Sequence, residues 1–133
     1  MPVAHHAENG HPIDLHSKEN RQRLAKGVTT LFDHWQLPVA DQEALLGCSR
    51  MSLSRYRRGE GLNDNVDLIG RVGHLLGIHK SLRIIFPHNR DMAYRWVNTP
   101  NRRFNGARPV DIMRQGYEGL LAVRRYLDFE RGR

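Results

Sequence analysis

Ser49, Arg50, Met51, Ser52, Ser54, Arg55, Arg57 and Arg58 stand within ten residues, with no Asp or Glu among them. On a helix, Leu53 and Tyr56 share one side and most of these residues fall on the other. Arginine can pair with guanine edges in a DNA major groove, and hydroxyls and arginines can bind phosphates. In that chemistry Arg50, Met51, Ser54 and Arg55 read bases, while Ser49, Ser52, Arg57 and Arg58 hold phosphates. The competing reading is a solvated basic face that touches no nucleic acid.

The flanking residues suit a recognition helix. Gly47 permits a tight turn after Ala44, Leu45 and Leu46. Ser49 is a good N-cap for a helix starting at Arg50, and Gly59 a good terminator. Asp41 is expected to cap a short preceding helix through Leu46, with Leu45 and Leu46 inward. Together these make a helix-turn-helix. Upstream, Leu24, Val28, Leu31, Phe32 and Trp35 form one apolar stripe on a helix from Ser17 to Trp35, weakened a little by Gly27.

The chain has 133 residues, enough for one domain or two small ones. Its net charge of +7 is uneven. Residues 1–48 hold four Lys/Arg against six Asp/Glu, and residues 49–133 hold seventeen against eight. The basic half begins at the recognition helix, which favours a polyanionic partner.

Other chemistries find little support. The histidines His5, His6, His11 and His16 have no regular spacing and fall in a polar stretch, residues 1–16, expected to be a mobile tail. The single cysteine, Cys48, offers no disulfide or metal cluster and reads as a small buried residue. His74 and His79 lie five apart, where a helical ligand pair would be four apart. No Gly-rich loop follows a strand to cradle phosphate. The expectation is no metal, no cofactor and no catalysis. No apolar run approaches membrane-spanning length and no signal-peptide core is present, so a cytoplasmic protein with no membrane partner is expected.

After Gly59 the segment 60–65 reads as a loop. Val66, Ile69, Val72, Leu75 and Leu76 then mark a helix that stops near Gly77, with a second short helix over Ser81 to Phe86. Asn89 to Val97 is a further helix. Pro109 starts one from Val110 to Gln115, and Gly116 separates it from a last helix, Tyr117 to Arg131, closed by Gly132. Trp35 and Trp96 lie on apolar stripes and are expected in the core. Tyr94 and Phe104 read as core or stacking residues, and Tyr126 as core or interface. Arg83, Arg90, Arg95, Arg102, Arg103 and Arg108 would extend a phosphate footprint if they shared a face with Arg50 and Arg55. The fold class is all-α: a tail at 1–16, a helix-turn-helix bundle at 17–86 and a small helical domain at 87–133.

From Trp96 onward the residues resemble a known family. Trp96-Val97-Asn98-Thr99-Pro100-Asn101 is followed by Phe104-Asn105-Gly106, by Arg108-Pro109 with Ile112 and Met113, and by Gly116, Gly119, Val123, Leu127 and Gly132. This order is similar to the Xre/MbcA/ParS antitoxins of type II toxin–antitoxin systems, which carry an Xre-like helix-turn-helix upstream. Gln115 stands where the family favours a small or hydroxyl residue. The resemblance implies a homodimer that binds a NAD-consuming RES-domain toxin over its active site. It also implies repression of its own operon through double-stranded operator DNA. Arg124, Arg125, Arg131, Gly132 and Arg133 would then face the toxin. A basic end could occupy a pocket made for the charged groups of a dinucleotide. The alternatives are a stand-alone repressor without a toxin partner, and a toxin-capping protein that no longer binds DNA.

Overall fold

The computed structural model describes residues 13–133, so His5, His6 and His11 of the expected tail lie outside it. Seven α-helices make up the described residues: α1 (Lys18–His34), α2 (Val39–Leu46), α3 (Arg50–Arg57), α4 (Val66–Ile85), α5 (Arg90–Arg95), α6 (Pro109–Met113) and α7 (Tyr117–Arg131). Two 3-10 turns, Trp96–Asn98 and Arg102–Phe104, lie between α5 and α6. No strand occurs among the described residues, and none of their helices is long and apolar enough to cross a membrane.

The caps are largely those expected from residue type. The Ser17 hydroxyl accepts the Asn20 amide, Ser49 accepts Ser52, Asn65 accepts Leu68 and Asn89 accepts Met92. Pro109 opens α6 and Gly132 follows α7. At the end of α2, Gly47 takes φ +63, and the amides of Gly47 and Cys48 both reach the Glu43 carbonyl. That left-handed residue turns the chain from α2 into α3 at little steric cost.

One apolar cluster runs through the molecule. Val28, Phe32 and Trp35 of α1 join Leu45 and Leu46 of α2 and Leu53 and Tyr56 of α3. Val72, Leu75, Ile78 and Leu82 of α4 carry the cluster on to Val97, Val110, Met113, Leu120, Val123 and Leu127. The core is therefore continuous across residue 86, where a domain boundary was expected. Polar ties cross the same line, among them Asn98 Nδ2 donating to the Trp35 carbonyl (2.8 Å) and Arg114 Nε pairing with Asp41 Oδ1 (3.1 Å).

The structure corrects several sequence expectations. The helices expected over 66–77 and 81–86 are a single helix, α4, which passes through Gly77. A Cβ at Gly77 would lie 2.6 Å from Arg124 Cζ, and one at Gly70 would overlap the Tyr117 hydroxyl. These glycines are places where α7 crosses α4 closely, which outweighs their cost to helix propensity. Residues 70, 77 and 81 meet 117, 124 and 128 in turn, so the two helices run parallel. Asp41 is not the cap of α2. The helix starts two residues earlier with Pro38 at its N-cap, and Asp41 is buried inside its first turn. Val66, expected inward, is 78% exposed. The helix expected to reach Gln115 ends at Met113. Residues 13–16, counted with the tail, are held in place. Asn20 Nδ2 donates to the Asp14 carbonyl, Arg21 Nε donates to the His16 carbonyl, and His16 Nδ1 meets Asp64 Oδ1 at 2.6 Å.

Candidate functional site

The α3 helix stands with Leu53 and Tyr56 fully packed beneath it. Beyond it, Leu62 reaches into the core from the loop and is 0% exposed. Its amide donates to the Arg21 carbonyl, and its own carbonyl accepts from Arg21 Nη1. This fastening fixes the C-terminal side of α3 against α1. Composition marked 60–65 as polar loop, and a single leucine among polar residues was the available signal.

The outward residues of α3 divide into two sets. Arg50, Met51 and Ser54 are exposed, and Met51 is 81% so. Arg50 has no hydrogen-bond or ion-pair partner among the described residues. Ser49 is spent on the cap, and Ser52 accepts from Arg55 Nη2 at 3.1 Å. Arg55 is half-buried, reaches Asn63 Oδ1 at 3.4 Å, and keeps a buried Nε without a partner. Arg58 Nη1 donates to the Ser54 hydroxyl (3.0 Å), and its other nitrogen lies 3.6 Å from Glu60.

Arg57 is exposed along one edge and tied to neighbouring helices along the other. It donates to Asp33 of α1 (3.0 Å) and to the Gln42 side chain of α2 (2.6 Å), and Gln42 in turn donates to the Leu37 carbonyl. It is a brace between three helices. In the turn, burial, with the Glu43 carboxylate beside it, pushes the Cys48 thiol above its usual pKa, against the pull of Arg55. A thiol raised in this way is a poor nucleophile.

The last helix carries the second candidate surface. Leu120, Val123 and Leu127 face inward. The opposite side shows Arg125 and Phe129 one turn apart, and Phe129 is 63% exposed. Phe129 was not singled out in the sequence, although it stands off the apolar stripe of its own helix. Arg124 lies over Gly77, donates to His74 Nδ1 (3.0 Å) and lies 3.8 Å from Asp128. Because arginine only donates, His74 Nδ1 must accept, leaving its Nε2–H to donate to the Tyr117 hydroxyl at 3.1 Å. Burial first, then the Arg124 charge, lowers the His74 pKa, with Asp128 opposing. Arg131 donates to the buried Ser81 hydroxyl (3.3 Å), and Arg133 donates to Glu130 (2.9 Å).

Tyr126 stacks on Trp96 with ring centroids 6.2 Å apart, and Phe104 meets both edge-on. Arg103 lies over the Tyr126 ring. These aromatics close the α5–α7 end. Of the footprint arginines, Arg95 pairs with Asp91 and Arg108 with Asp111.

The family model of the antitoxin Xre/MbcA/ParS C-terminal toxin-binding domain matches residues 81–133. The uncharacterized protein y4oB of Sinorhizobium fredii is 37% identical over 104 residues, spanning 77% of this chain and 79% of that protein. Residues 81–133 belong to the Xre/MbcA/ParS family of antitoxin C-terminal domains. A chain of the M. tuberculosis MbcT–MbcA toxin–antitoxin complex shares the fold, with a TM-score of 0.55 and 24% identity over 79% of this chain and 90% of that one.

The family match begins inside α4 and takes in the last five residues of that helix. Its motif residues have structural work. Asn98 holds the end of α1 through the Trp35 carbonyl. Gly116 takes φ +126, which a side chain would strain. A Cβ at Gly119 would strike the Ile112 carbonyl oxygen, so the close approach of α6 to α7 there needs a glycine.

Proposed function

We propose that this chain neutralises a NAD-consuming RES-domain toxin by binding over its active site, and that as a homodimer it represses its own operon. The observation that carries the toxin half is the exposed face of α7. In the segment that matches the toxin-binding domain model, Phe129 stands uncovered beside Arg125. A large exposed aromatic next to an arginine is the composition of an interface centre. Gly132 and Arg133 follow that face at the helix end, while Arg124, bonded to His74, and Arg131, bonded to Ser81, support it from below by holding α7 to α4. The protein supplies binding and occlusion, with no catalysis, cofactor or metal of its own. It acts in the cytoplasm.

The test is co-purification with the tagged product of the adjacent reading frame. Phe129→Asp with Arg125→Glu is expected to abolish capture while the chain keeps its helical circular dichroism. Capture that survives both changes removes α7 from the interface.

The DNA half rests on α3, whose Arg50, Met51 and Ser54 are presented outward on a braced helix. Arg50, Met51, Ser54 and Arg55 read bases, with Arg55 first leaving Ser52 and Asn63. Ser49, Ser52 and Arg58 hold phosphates. Arg57 braces the helix and touches DNA only through its exposed edge. Two such helices in a dimer read half-sites about one DNA turn apart.

A further inference from the structure

Between the end of α1, the second half of α4 and α5 lies a cleft of about 720 Å³. His34, His79, Lys80, Arg83, Arg90 and Tyr94 line it, and no carboxylate does. Lys80, Arg83 and Arg90 have no hydrogen-bond or ion-pair partner among the described residues. Five arginines outside the cleft, Arg57, Arg71, Arg95, Arg108 and Arg114, each sit on an aspartate, while Arg50 on α3 is unpaired like the cleft cations. Tyr94 is sandwiched between the His34 and His79 rings, with centroids 4.5 and 5.2 Å away and planes nearly parallel.

We propose that this cleft is a binding site for a small organic phosphate carrying at least two negative charges, held by Lys80, Arg83 and Arg90.

Unpaired cations from two helices gathered in a concave site focus positive potential, and an anion relieves their mutual repulsion. The volume falls in the range of small-ligand sites, roughly 300–1,000 Å³. Ile84, 44% exposed, and Phe86 give the wall an apolar stretch for the organic part. Both faces of Tyr94 are already covered, so recognition rests on the phosphate and not on a base stacked there. The site reports on itself through His79. Burial, then the charges of Arg83 and His34, hold its imidazole below the usual range. The groups around that ring are His34 from α1, Lys80 and Arg83 from α4, and Arg90 and Tyr94 from α5. An anion among these cations cancels their field, and His79 then takes its proton at higher pH.

The experiment titrates the full chain with sodium pyrophosphate at constant ionic strength. Calorimetry and the His79 ring protons in NMR spectra are followed, with sodium chloride as the matched control. One saturable site is expected, with the His79 pKa rising on binding. Arg83→Gln with Arg90→Gln, both exposed and outside the core, is expected to weaken binding at least tenfold while duplex DNA affinity is unchanged. A response equalled by chloride, or binding that survives the double substitution, overturns the assignment. So does loss of DNA affinity in that variant, which would make these arginines part of a DNA footprint.

Discussion

Arg57 and Arg50 share a helix and a charge but not a role. Arg57 spans Asp33 and Gln42, so Arg57→Ala is expected to cost about 1 kcal/mol of stability, read from urea unfolding midpoints. Arg50→Ala is expected to leave stability unchanged within about 0.5 kcal/mol and to weaken operator binding. Arg55→Ala is expected to cost roughly 1–3 kcal/mol at one base position, whereas Arg58→Ala weakens all sequences alike and flattens the salt dependence. An Arg55→Ala protein that bound operator as tightly as the parent would contradict the register of α3. Sequence alone could separate Leu53 and Tyr56 from the arginines, because helical period shows that. It could not show that Asp33, twenty-four residues away, pairs with one of them. The histidines give a pH dependence. His74 and His79 are both depressed in the fold, so the unfolded chain binds more protons as acidity rises. Stability is full above about pH 6.5 and declines as the pH falls through the folded pKa values. Urea midpoints at about pH 7.5 and about pH 5 are expected to differ, and His74→Gln with His79→Gln to narrow the gap.

The helices were legible wherever caps and apolar period agreed, as in α1, α3 and α7. They were misread at α4, because a glycine inside a helix and a glycine ending one look the same in a single sequence. Gly77 is retained for the passage of Arg124, a fact of packing between residues 47 apart in the chain. The glycines give a graded test by thermal melts. Gly119→Ala drives a methyl into the Ile112 backbone and is expected to cost about 2–4 kcal/mol. Gly73→Ala meets nothing within 4 Å on the exposed side of α4 and is expected to stabilise by about 0.5–1 kcal/mol. Equal melting points for the two proteins would contradict the α6–α7 packing.

At the scale of the whole molecule, the helix-turn-helix and the family-matched segment share one core and are tied by Asn98 to Trp35 and Arg114 to Asp41. A partner bound on α7 would therefore load the same core that carries α3. Asn98→Ala, which leaves the Trp35 carbonyl without its donor, is expected to lower stability by about 1–2 kcal/mol and to loosen both ends together in hydrogen exchange. The motif residues carried the family resemblance, but their physical purpose lay in contacts that no local pattern displays. The central claim is tested most directly by expressing the adjacent reading frame alone and beside this chain while growth and cellular NAD are followed. The account predicts that the neighbour alone arrests growth and depletes NAD, and that this chain restores both. A neighbour that is harmless alone, or that stays toxic beside this chain, would contradict it.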